Sequence, residues 1–334
     1  MQQLRVHGPD DIRLDEVVEP KPGPRDAVLR VAACGICGSD LRYVRLGGLA
    51  GPMPEPMPLG HELSGVVDAV GTDVGNLAPG DRVVLNPTAA GNMIGNGGSE
   101  GGFTPLLLVR DAAAGASLFA IPDGLGDDVA ALTEPLGVGM NAVNQSEAAV
   151  GDKVVVFGAG PIGLAAIATL ADRGVDDVIA VDLSPRRLEI ASVLGARDTI
   201  DATEGDPWER IRALHGEEPL MGAPMAGSDV YIEASGAAPV IPQVLQHAKA
   251  RARLSVVALH GDAIPVNFLL VMMKQLTIRG AMEYPDDYND AIDLLTRRDL
   301  SPMISHRFPL GRFEEALAVA QDSRAGGKVM IEMA

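Results

Sequence analysis

A glycine pattern between two apolar runs limits the fold of this chain more than any other sequence feature. Gly158, Gly160 and Gly163 follow the strand-like run VVVF and open the helix-like run PIGLAAIATLADRG. A second strand-like run, DVIAVDL, comes next, and PRRLEIASVLGA continues as another helix. Strand, turn, helix and strand in this order are the signature of a parallel βαβ unit. We therefore predict a parallel sheet, in a chain whose 334 residues suffice for two domains.

The same pattern has the spacing of a dinucleotide-binding turn. Gly158 permits the tight turn, Gly160 lets the backbone approach a pyrophosphate, and Gly163 lets the helix pack closely on the strand. Pro161 and Ile162 complete the turn. The helix N-terminus directs unpaired N–H groups and a positive dipole end at the phosphates. The segment therefore predicts binding of a dinucleotide.

Asp182 ends the next strand, nineteen residues after Gly163. A carboxylate at this place accepts hydrogen bonds from the adenosine ribose hydroxyls. It also repels a 2′-phosphate, so it favours NAD over NADP. Arg186 and Arg187 follow closely and either open a solvated helix or approach a phosphate. Because of these two arginines, NADP remains the alternative cofactor to NAD.

The period of the hydrophobic pattern along the chain changes near residue 125. Residues before it alternate apolar and polar side chains between turn signals, which predicts antiparallel β-structure, and 127–146 is helical despite Pro135. Later apolar runs predict more strands, two amphipathic helices and a closing strand, KVMIEM. Met272 and Met273 lie in an apolar run that we interpret as core or subunit interface. A β-rich region thus brackets an inserted α/β region, and the C-terminal tail completes the first β segment.

The charge balance excludes two classes of partner. Lys and Arg total 27 against 45 Asp and Glu, a net charge of −18 that repels phosphate backbones and anionic lipid heads. Residues 154–171 carry no charge, but their glycines fit a strand, turn and helix better than a membrane span. The N-terminus has no apolar signal segment, and only two cysteines occur. We expect a cytoplasmic protein without nucleic-acid or membrane partners.

Three short stretches supply the side chains that could bind a metal. They are CGICGSD, PLGHE and TEPLG, which hold Cys34, Cys37, His61, Glu62 and Glu134. Thiolate, imidazole and carboxylate are all zinc ligands, but one C-x-x-C without a second pair makes no four-cysteine site. A thioredoxin-like redox pair has the same C-x-x-C spacing, but the strands and helices predicted around Cys34 and Cys37 do not match its context. We interpret Cys34 as a small buried hydrophobe.

At these residues the sequence resembles the zinc-dependent medium-chain dehydrogenase family. GICGSD, GHE, EPLG and GAGPIG occur in the family's order, and the resemblance covers nearly the whole chain. It is closest in look to the sorbitol, L-idonate, butanediol and threonine dehydrogenase branch. The resemblance implies an α/β fold: a GroES-like β-rich catalytic domain over 1–135, completed by 281–334, plus an inserted Rossmann domain over 136–280 with a doubly wound parallel sheet.

The resemblance also implies a metal site with one catalytic zinc ion per chain. Cys37 would be the thiolate ligand and His61 the imidazole ligand. Glu134 would take the third ligand position, where classical alcohol dehydrogenases have a second cysteine. Glu62 would either bind zinc or lie just behind it, so the choice of third ligand stays open between the two acids.

Further roles follow from the same resemblance. Ser39 would contact the substrate hydroxyl and pass on its proton, and Asp40 would orient the imidazole ligand. NAD would be held by Gly158, Gly160, Pro161, Ile162, Gly163, Asp182 and Arg187. The implied reaction transfers a hydride from a secondary alcohol or polyol to NAD while zinc stabilises the alkoxide. The implied assembly is a homodimer or homotetramer.

The chain departs from the family at two places. Most members carry a structural zinc on a loop with four cysteines, whereas the stretch TAAGNMIGNGGSEGGF has none, so we expect no structural zinc. Arg42 stands where many relatives have a histidine that extends the proton relay, and arginine is no base at neutral pH. The proton then leaves by water or another path. Arg42 either contacts an anionic group or pairs at the surface.

Two other functions remain as alternatives. A zinc-free NAD(P)H-dependent quinone or enone reductase has the same fold, but that branch generally lacks the cysteine and histidine ligands. A dinucleotide-binding sensor or structural protein, like some lens crystallins of the family, would not need the ligand set.

Overall fold

The computed structural model describes residues 1–285, 287–322 and 324–333, which form two compact units. The first unit contains Met1–Glu134, Ala291–Asp322 and the C-terminal segment from Lys328. The second contains Pro135–Asp290 and the short segment before Lys328. The sequence suggested a return to the first unit at residue 281, and in the structure this return begins at Ala291.

The described elements, in chain order, are eighteen strands and ten α-helices. The strands are β1 (Gln2–Gly8), β2 (Asp11–Glu16), β3 (Ala27–Gly35), β4 (Met57–Pro58), β5 (Glu62–Val70), β6 (Arg82–Leu85), β7 (Leu106–Val109), β8 (Leu118–Ala120), β9 (Lys153–Phe157), β10 (Asp177–Asp182), β11 (Asp198–Asp201), β12 (Glu217–Leu220), β13 (Ala223–Ala226), β14 (Val230–Glu233), β15 (Arg253–Val256), β16 (Thr277–Gly280), β17 (Ile304–Pro309) and β18 (Lys328–Glu332). The helices are α1 (Gly38–Leu46), α2 (Asp127–Ala130), α3 (Thr133–Ser146), α4 (Pro161–Asp172), α5 (Pro185–Leu194), α6 (Pro207–His215), α7 (Val240–His247), α8 (Phe268–Lys274), α9 (Asn289–Arg297) and α10 (Phe313–Gln321).

Two sheets build the first unit. One has seven strands in the order β17-β18-β3-β5-β6-β8, with β7 also paired to β3, and the other has the order β2-β1-β4. The closing strand β18 pairs antiparallel with β3, so the C-terminal tail completes the early β segment as expected. Aliphatic side chains fill the core between these elements, because alternate residues of each strand point inward.

Helix α1 corrects the prediction that the chain is all-β before residue 125. Cys37 is its N-cap, and Gly47, whose φ of +78° suits glycine, is its C-cap. Only Asp40 and Val44 of α1 are buried, so the helix carries too little apolar periodicity to be recognised. The structure also divides the predicted helix 127–146 into two helices, α2 and α3. Pro135 lies in the first turn of α3, where no N–H partner is needed.

The second unit has a six-stranded sheet in the order β11-β10-β9-β14-β15-β16, and every neighbouring pair is parallel. This is the doubly wound Rossmann order, so the predicted fold class is confirmed. The strand order reverses between β9 and β14. In such sheets ligands bind beyond the carboxyl ends of the strands at this reversal.

Strand β16 and helix α8 leave an apolar face of the second unit uncovered. All four residues of β16 are exposed, and β16 is an edge of the parallel sheet. On α8, Phe268 and Met272 are 74% and 65% exposed. The run around Met272 and Met273 is therefore not core. Within the described part of the chain, no helix combines the length and apolar character needed to span a bilayer.

Glycine packing organises the loop 88–102, which stands in the place of the cysteine loop. A Cβ added at Gly95 would overlap the carbonyl oxygen of Gly60, and Gly102 donates its N–H to that same oxygen at 2.7 Å. The loop buries Ile94 completely. Close backbone contacts, which only glycine permits, therefore hold this loop against the entry to β5.

Candidate active site

Three of the predicted ligands lie together in the first unit. One ligand atom from each of Cys37, His61 and Glu62 lies within 4.8 Å of the other two. His61 and Glu62 are buried and Cys37 is half-buried. Among residues 1–285, 287–322 and 324–333, no second group of three such side chains has this spacing. The start of α1 supplies the thiol, and the entry to β5 supplies the other two groups.

Asp40 fixes the two segments that carry these side chains. Its Oδ2 accepts a hydrogen bond from the backbone N–H of Cys37 at 2.8 Å, and its Oδ1 accepts one from the N–H of Gly60 at 3.3 Å. The carboxylate is fully buried in the first turn of α1, where it satisfies a free N–H and complements the helix dipole. Asp40 thus ties the cysteine turn to the loop that presents His61.

The imidazole of His61 lies between two oxygen groups. Its Nδ1 is 3.6 Å from Asp40 Oδ1, and its Nε2 is 3.4 Å from Ser39 Oγ. Nδ1 is buried and has no hydrogen-bond partner at that distance. Burial by itself lowers the pKa of His61, but Asp40, Cys37 and Glu134 together raise this pKa well above its usual value. The surroundings of the ring therefore favour a positive charge.

A zinc ion fits this group of side chains. Sulfur, imidazole and carboxylate donors converge there, and this mixture is typical of zinc sites. The orphaned Nδ1 of His61 beside Asp40 matches the usual arrangement in which a carboxylate orients a histidine ligand. A dication would also compensate the buried negative groups around the imidazole.

Glu134 lies near this group but outside its 4.8 Å limit. It is 7% exposed and stands in the first turn of α3. Its charge contributes to the raised pKa of both His61 and Lys328. The structure therefore places it within electrostatic range of the candidate ligands.

Lys328 is a site residue that the sequence did not reveal. Its Nζ lies 2.6 Å from Glu62 Oε1 and 2.5 Å from Glu62 Oε2, and it donates to the carbonyl of Ile36 at 3.1 Å. Burial by itself lowers the pKa of Lys328, but Glu62 and Cys37 raise this pKa above its usual value, so the ammonium stays charged. The only sequence signal is a lysine that opens the apolar strand KVMIEM.

Tyr43 also borders the site and was not predicted. Its hydroxyl donates to Asn96 Oδ1 at 3.2 Å. Burial raises the pKa of Tyr43, so the phenol is neutral. Arg42 and Arg45, on the same helix, are exposed.

The glycine turn of the second unit has the close contacts that its spacing predicts. Gly158 has a φ of +91°, and an added Cβ would come within 2.7 Å of the Ser235 backbone. An added Cβ at Gly163 would overlap the carbonyl oxygen of Gly158. At Gly160, by contrast, the nearest atom would be Arg187 Nη1 at 3.8 Å. Contacts within the chain therefore require glycine at positions 158 and 163, whereas the space next to Gly160 is open to a ligand.

The amino end of α4 completes this turn. Gly160 is the N-cap, Pro161 occupies the first helical turn, and Ile162 is half-buried beside it. No side chain caps this helix, so its first backbone N–H groups lack a side-chain partner and face the space next to the glycine turn. A phosphate group fits such a helix terminus.

Asp182 and Arg187 both reach the glycine turn. Asp182 Oδ2 accepts the backbone N–H of Ala159 at 2.6 Å, and its Oδ1 accepts that of Ser184 at 2.9 Å. Arg187 donates from Nε to the carbonyl of Gly326 at 2.9 Å, which brings its guanidinium beside the turn. Arg186 instead pairs with Glu189 at the surface.

Comparisons with known proteins agree with both units. The zinc-binding dehydrogenase model matches residues 161–297, and the alcohol dehydrogenase GroES-like domain model matches residues 23–123. A sorbitol dehydrogenase from Homo sapiens is 31% identical over 98% of this chain and 95% of its own length.

Two solved structures are similar over the whole chain. The 2R,3R-butanediol dehydrogenase from Bacillus subtilis has a TM-score of 0.86 and 29% identity, covering 100% of this chain and 99% of its own. A zinc-binding dehydrogenase from Sinorhizobium meliloti 1021, bound to NADP, has a TM-score of 0.84 and 26% identity, covering 99% of each chain. The chain therefore belongs to the zinc-type medium-chain dehydrogenase family and is an enzyme of the alcohol and polyol dehydrogenase type.

Proposed function

We propose that this enzyme oxidises a secondary alcohol or polyol, using one catalytic zinc ion and NAD as the hydride acceptor. The observation that carries the proposal is the convergence of Cys37, His61 and Glu62 within 4.8 Å, beside the hydroxyl of Ser39. The similarity to sorbitol and butanediol dehydrogenases supports a substrate with more than one hydroxyl group.

Each side chain of the group has a defined task under this proposal. Cys37 and His61 hold the metal, Asp40 keeps the imidazole oriented, and either Glu62 or Glu134 completes the ligand set. When bound, zinc supplies the positive charge that makes the substrate hydroxyl acidic and stabilises its anion.

Ser39 carries the proton away from the substrate. Its Oγ lies 3.4 Å from His61 Nε2, so it borders the position where the reacting hydroxyl would lie. Oγ accepts the proton from the substrate hydroxyl and releases its own. Because Arg42 is exposed and an arginine side chain does not act as a base, the released proton passes to water.

The second unit holds the nicotinamide cofactor that accepts the hydride. The open space above Gly160 receives the pyrophosphate, and Asp182 receives the ribose hydroxyls. The carboxylate of Asp182 favours NAD. NADP is the alternative, and a similar dehydrogenase binds it.

We also propose that the enzyme is a homo-oligomer formed through β16 and α8. An exposed edge strand presents unpaired N–H and C=O groups, which a second copy of the same strand can pair about a two-fold axis. The exposed side chains of Phe268, Met272 and Ile278 add apolar area to the same region.

Elemental analysis of the purified enzyme, combined with two cysteine variants, tests the zinc proposal. We expect about one zinc per chain and NAD reduction with polyols, and loss of both in Cys37→Ser because a ligand is removed. Cys34→Ser is the matched control: Cys34 is buried but outside the ligand group, so this variant keeps its zinc. A wild-type enzyme that neither contains nor takes up zinc would overturn the proposal, and reduction of quinones or enones would then favour the zinc-free reductase.

A further inference from the structure

A buried carboxylate and an imidazole join the ends of two neighbouring strands in the second unit. Glu233 is the last residue of β14, and its side chain is fully buried. Its Oε2 lies 2.9 Å from Nε2 of His260, which stands in the loop after β15 and is 12% exposed. The pair therefore connects the loop that follows β14 to the loop that follows β15.

The carboxylate of Glu233 also shapes its own loop. Its Oε1 accepts hydrogen bonds from the backbone N–H groups of Ser235 and Gly236, both at 2.9 Å, and from the Ser235 hydroxyl. Because an ionised carboxylate only accepts hydrogen bonds, Nε2 of His260 carries the proton in the contact with Oε2. Nδ1 of His260 is buried and has no hydrogen-bond partner among the described residues. The contact with Glu233 therefore sets the orientation of the ring.

The loop that Glu233 shapes packs on the glycine turn of the proposed cofactor site. A Cβ added at Gly158 would lie 2.7 Å from the backbone nitrogen and Cα of Ser235. The bonds from Ser235 to Glu233 thus hold the backbone that closes against this turn. Through its contact with Glu233, His260 fastens a second loop to the same place.

The two loops belong to one half of the parallel sheet. In the strand order, β14, β15 and β16 lie on one side of the reversal, and β9, β10 and β11 lie on the other. A doubly wound sheet has two such halves, each of which binds one nucleotide of a dinucleotide. Asp182, at the end of β10, is the acid that we assign to the adenosine ribose. The half that holds Glu233 and His260 is then left for the nicotinamide nucleotide.

We infer that Glu233 and His260 are positioning residues, which fasten the loops after β14 and β15 together and so shape the nicotinamide half of the cofactor site. The inference rests on the proposed binding of NAD and adds two residues to it. Without the imidazole, Oε2 of Glu233 would be buried without a partner, which is costly, so the two loops would rearrange. Because both loops lie on one side of the reversal, the change should affect one nucleotide more than the other.

Calorimetric titration with two ligands tests this role without relying on turnover. NADH occupies both halves of the site, whereas AMP occupies only the adenosine half. In His260→Leu we expect NADH to bind at least about 10-fold more weakly, while the affinity for AMP stays within about 2-fold of the wild type. His260→Gln keeps an N–H donor near the place of Nε2 and should recover most of the NADH affinity. Asp182→Asn is the matched control in the other half and should weaken both ligands.

Three results would overturn the inference: unchanged NADH binding by His260→Leu, an equal loss of NADH and AMP binding, or no recovery in His260→Gln. If His260→Leu does not fold, His260→Asn takes its place, because its shorter amide does not reach Glu233, and it is judged by the same two titrations. Wild-type protein that binds neither NADH nor AMP would instead refute the proposed cofactor site. The two failures are therefore told apart by which protein is affected.

Discussion

The carboxylate of Asp182 accepts a hydrogen bond from the backbone N–H of Ala159, and the two atoms lie 2.6 Å apart. The acid at the end of β10 is thereby joined to the glycine turn that follows β9. One side chain thus shapes the turn and presents a negative charge where the ribose of a dinucleotide would lie.

Removing that charge should change cofactor preference. Asp182→Asn keeps an oxygen for the Ala159 N–H but no longer repels a 2′-phosphate, and Arg187 lies beside the same turn. We expect the ratio of kcat/KM for NAD to that for NADP to fall by about 10-fold to 100-fold, the size of one charged hydrogen bond. Asp176→Asn removes an exposed charge from the same unit and should leave the ratio unchanged. Equal use of both cofactors by the wild type would contradict this account of Asp182.

Two glycines of one turn should respond differently to alanine. Gly163→Ala places a methyl group against the carbonyl of Gly158, so α4 must shift, and we expect about 1–3 kcal/mol of destabilisation. Gly160→Ala meets no atom closer than 3.8 Å, and Gly160 has a φ of −69° that alanine also adopts. It should therefore melt like the wild type while NADH binding weakens at least about 10-fold, because the methyl group occupies the space for the pyrophosphate. Thermal melting and NADH fluorescence titration separate the two effects. If Gly160→Ala binds NADH as tightly as the wild type, the pyrophosphate does not lie next to Gly160.

Charge on α8 should separate the subunits if the enzyme self-associates there. Phe268→Asp/Met272→Asp puts two carboxylates on a face that we propose to be buried between copies. Burying unpaired charges is costly, so the molar mass from light scattering should fall to that of a smaller species, at the same protein concentration. Val18→Asp changes a 92% exposed side chain of the first unit and should keep the wild-type mass. A mass that is unchanged in the α8 variant would place the subunit contact elsewhere.

His215 makes the second unit sensitive to acid. It is 2% exposed, its Nδ1 lies 2.8 Å from Ser228 Oγ, and its Nε2 lies 3.2 Å from Asp177 Oδ1. Burial lowers the pKa of His215, Asp177 opposes this shift, and Lys153 and Arg197 add to it, so the folded state favours the neutral ring.

Because the pKa of His215 is lower in the folded chain than in the unfolded chain, the unfolded chain binds the proton first as the pH falls. This residue's contribution to the free energy of unfolding is therefore present at neutral pH and lost as the pH falls below about 7. His215→Asn removes the titrating group. The wild type should lose more urea stability than this variant between about pH 7.5 and pH 5.5. Parallel pH profiles of the two proteins would show that the ring does not titrate on unfolding.

The sequence predicts those parts of the molecule whose signals are local. Gly158, Gly163 and Asp182 lie within one βαβ unit, so spacing alone brings them together. Cys37 and His61 also stand in short, chemically distinctive stretches. Lys328 carries no such signal, because it lies 266 residues from Glu62 and meets it only through the order of three strands.

Helix α1 and the apolar run on α8 show a different limit. The first buries only two side chains, one of them the carboxylate of Asp40, so a hydrophobic pattern cannot reveal it. On α8, Phe268 and Met272 are apolar yet exposed, and composition alone does not distinguish a core from a surface that another subunit covers.

The loop 88–102 is held by glycine backbone contacts rather than by thiolates, and this affects how the apoenzyme can be handled. If zinc binds at Cys37 and His61 as we propose, a chelator should remove it without releasing the loop, since the loop contributes no cysteine for a metal to hold. The stripped protein should therefore keep its shape. Under the same proposal, cobalt should enter the emptied site, and its visible spectrum should report on the surroundings of Cys37 and His61.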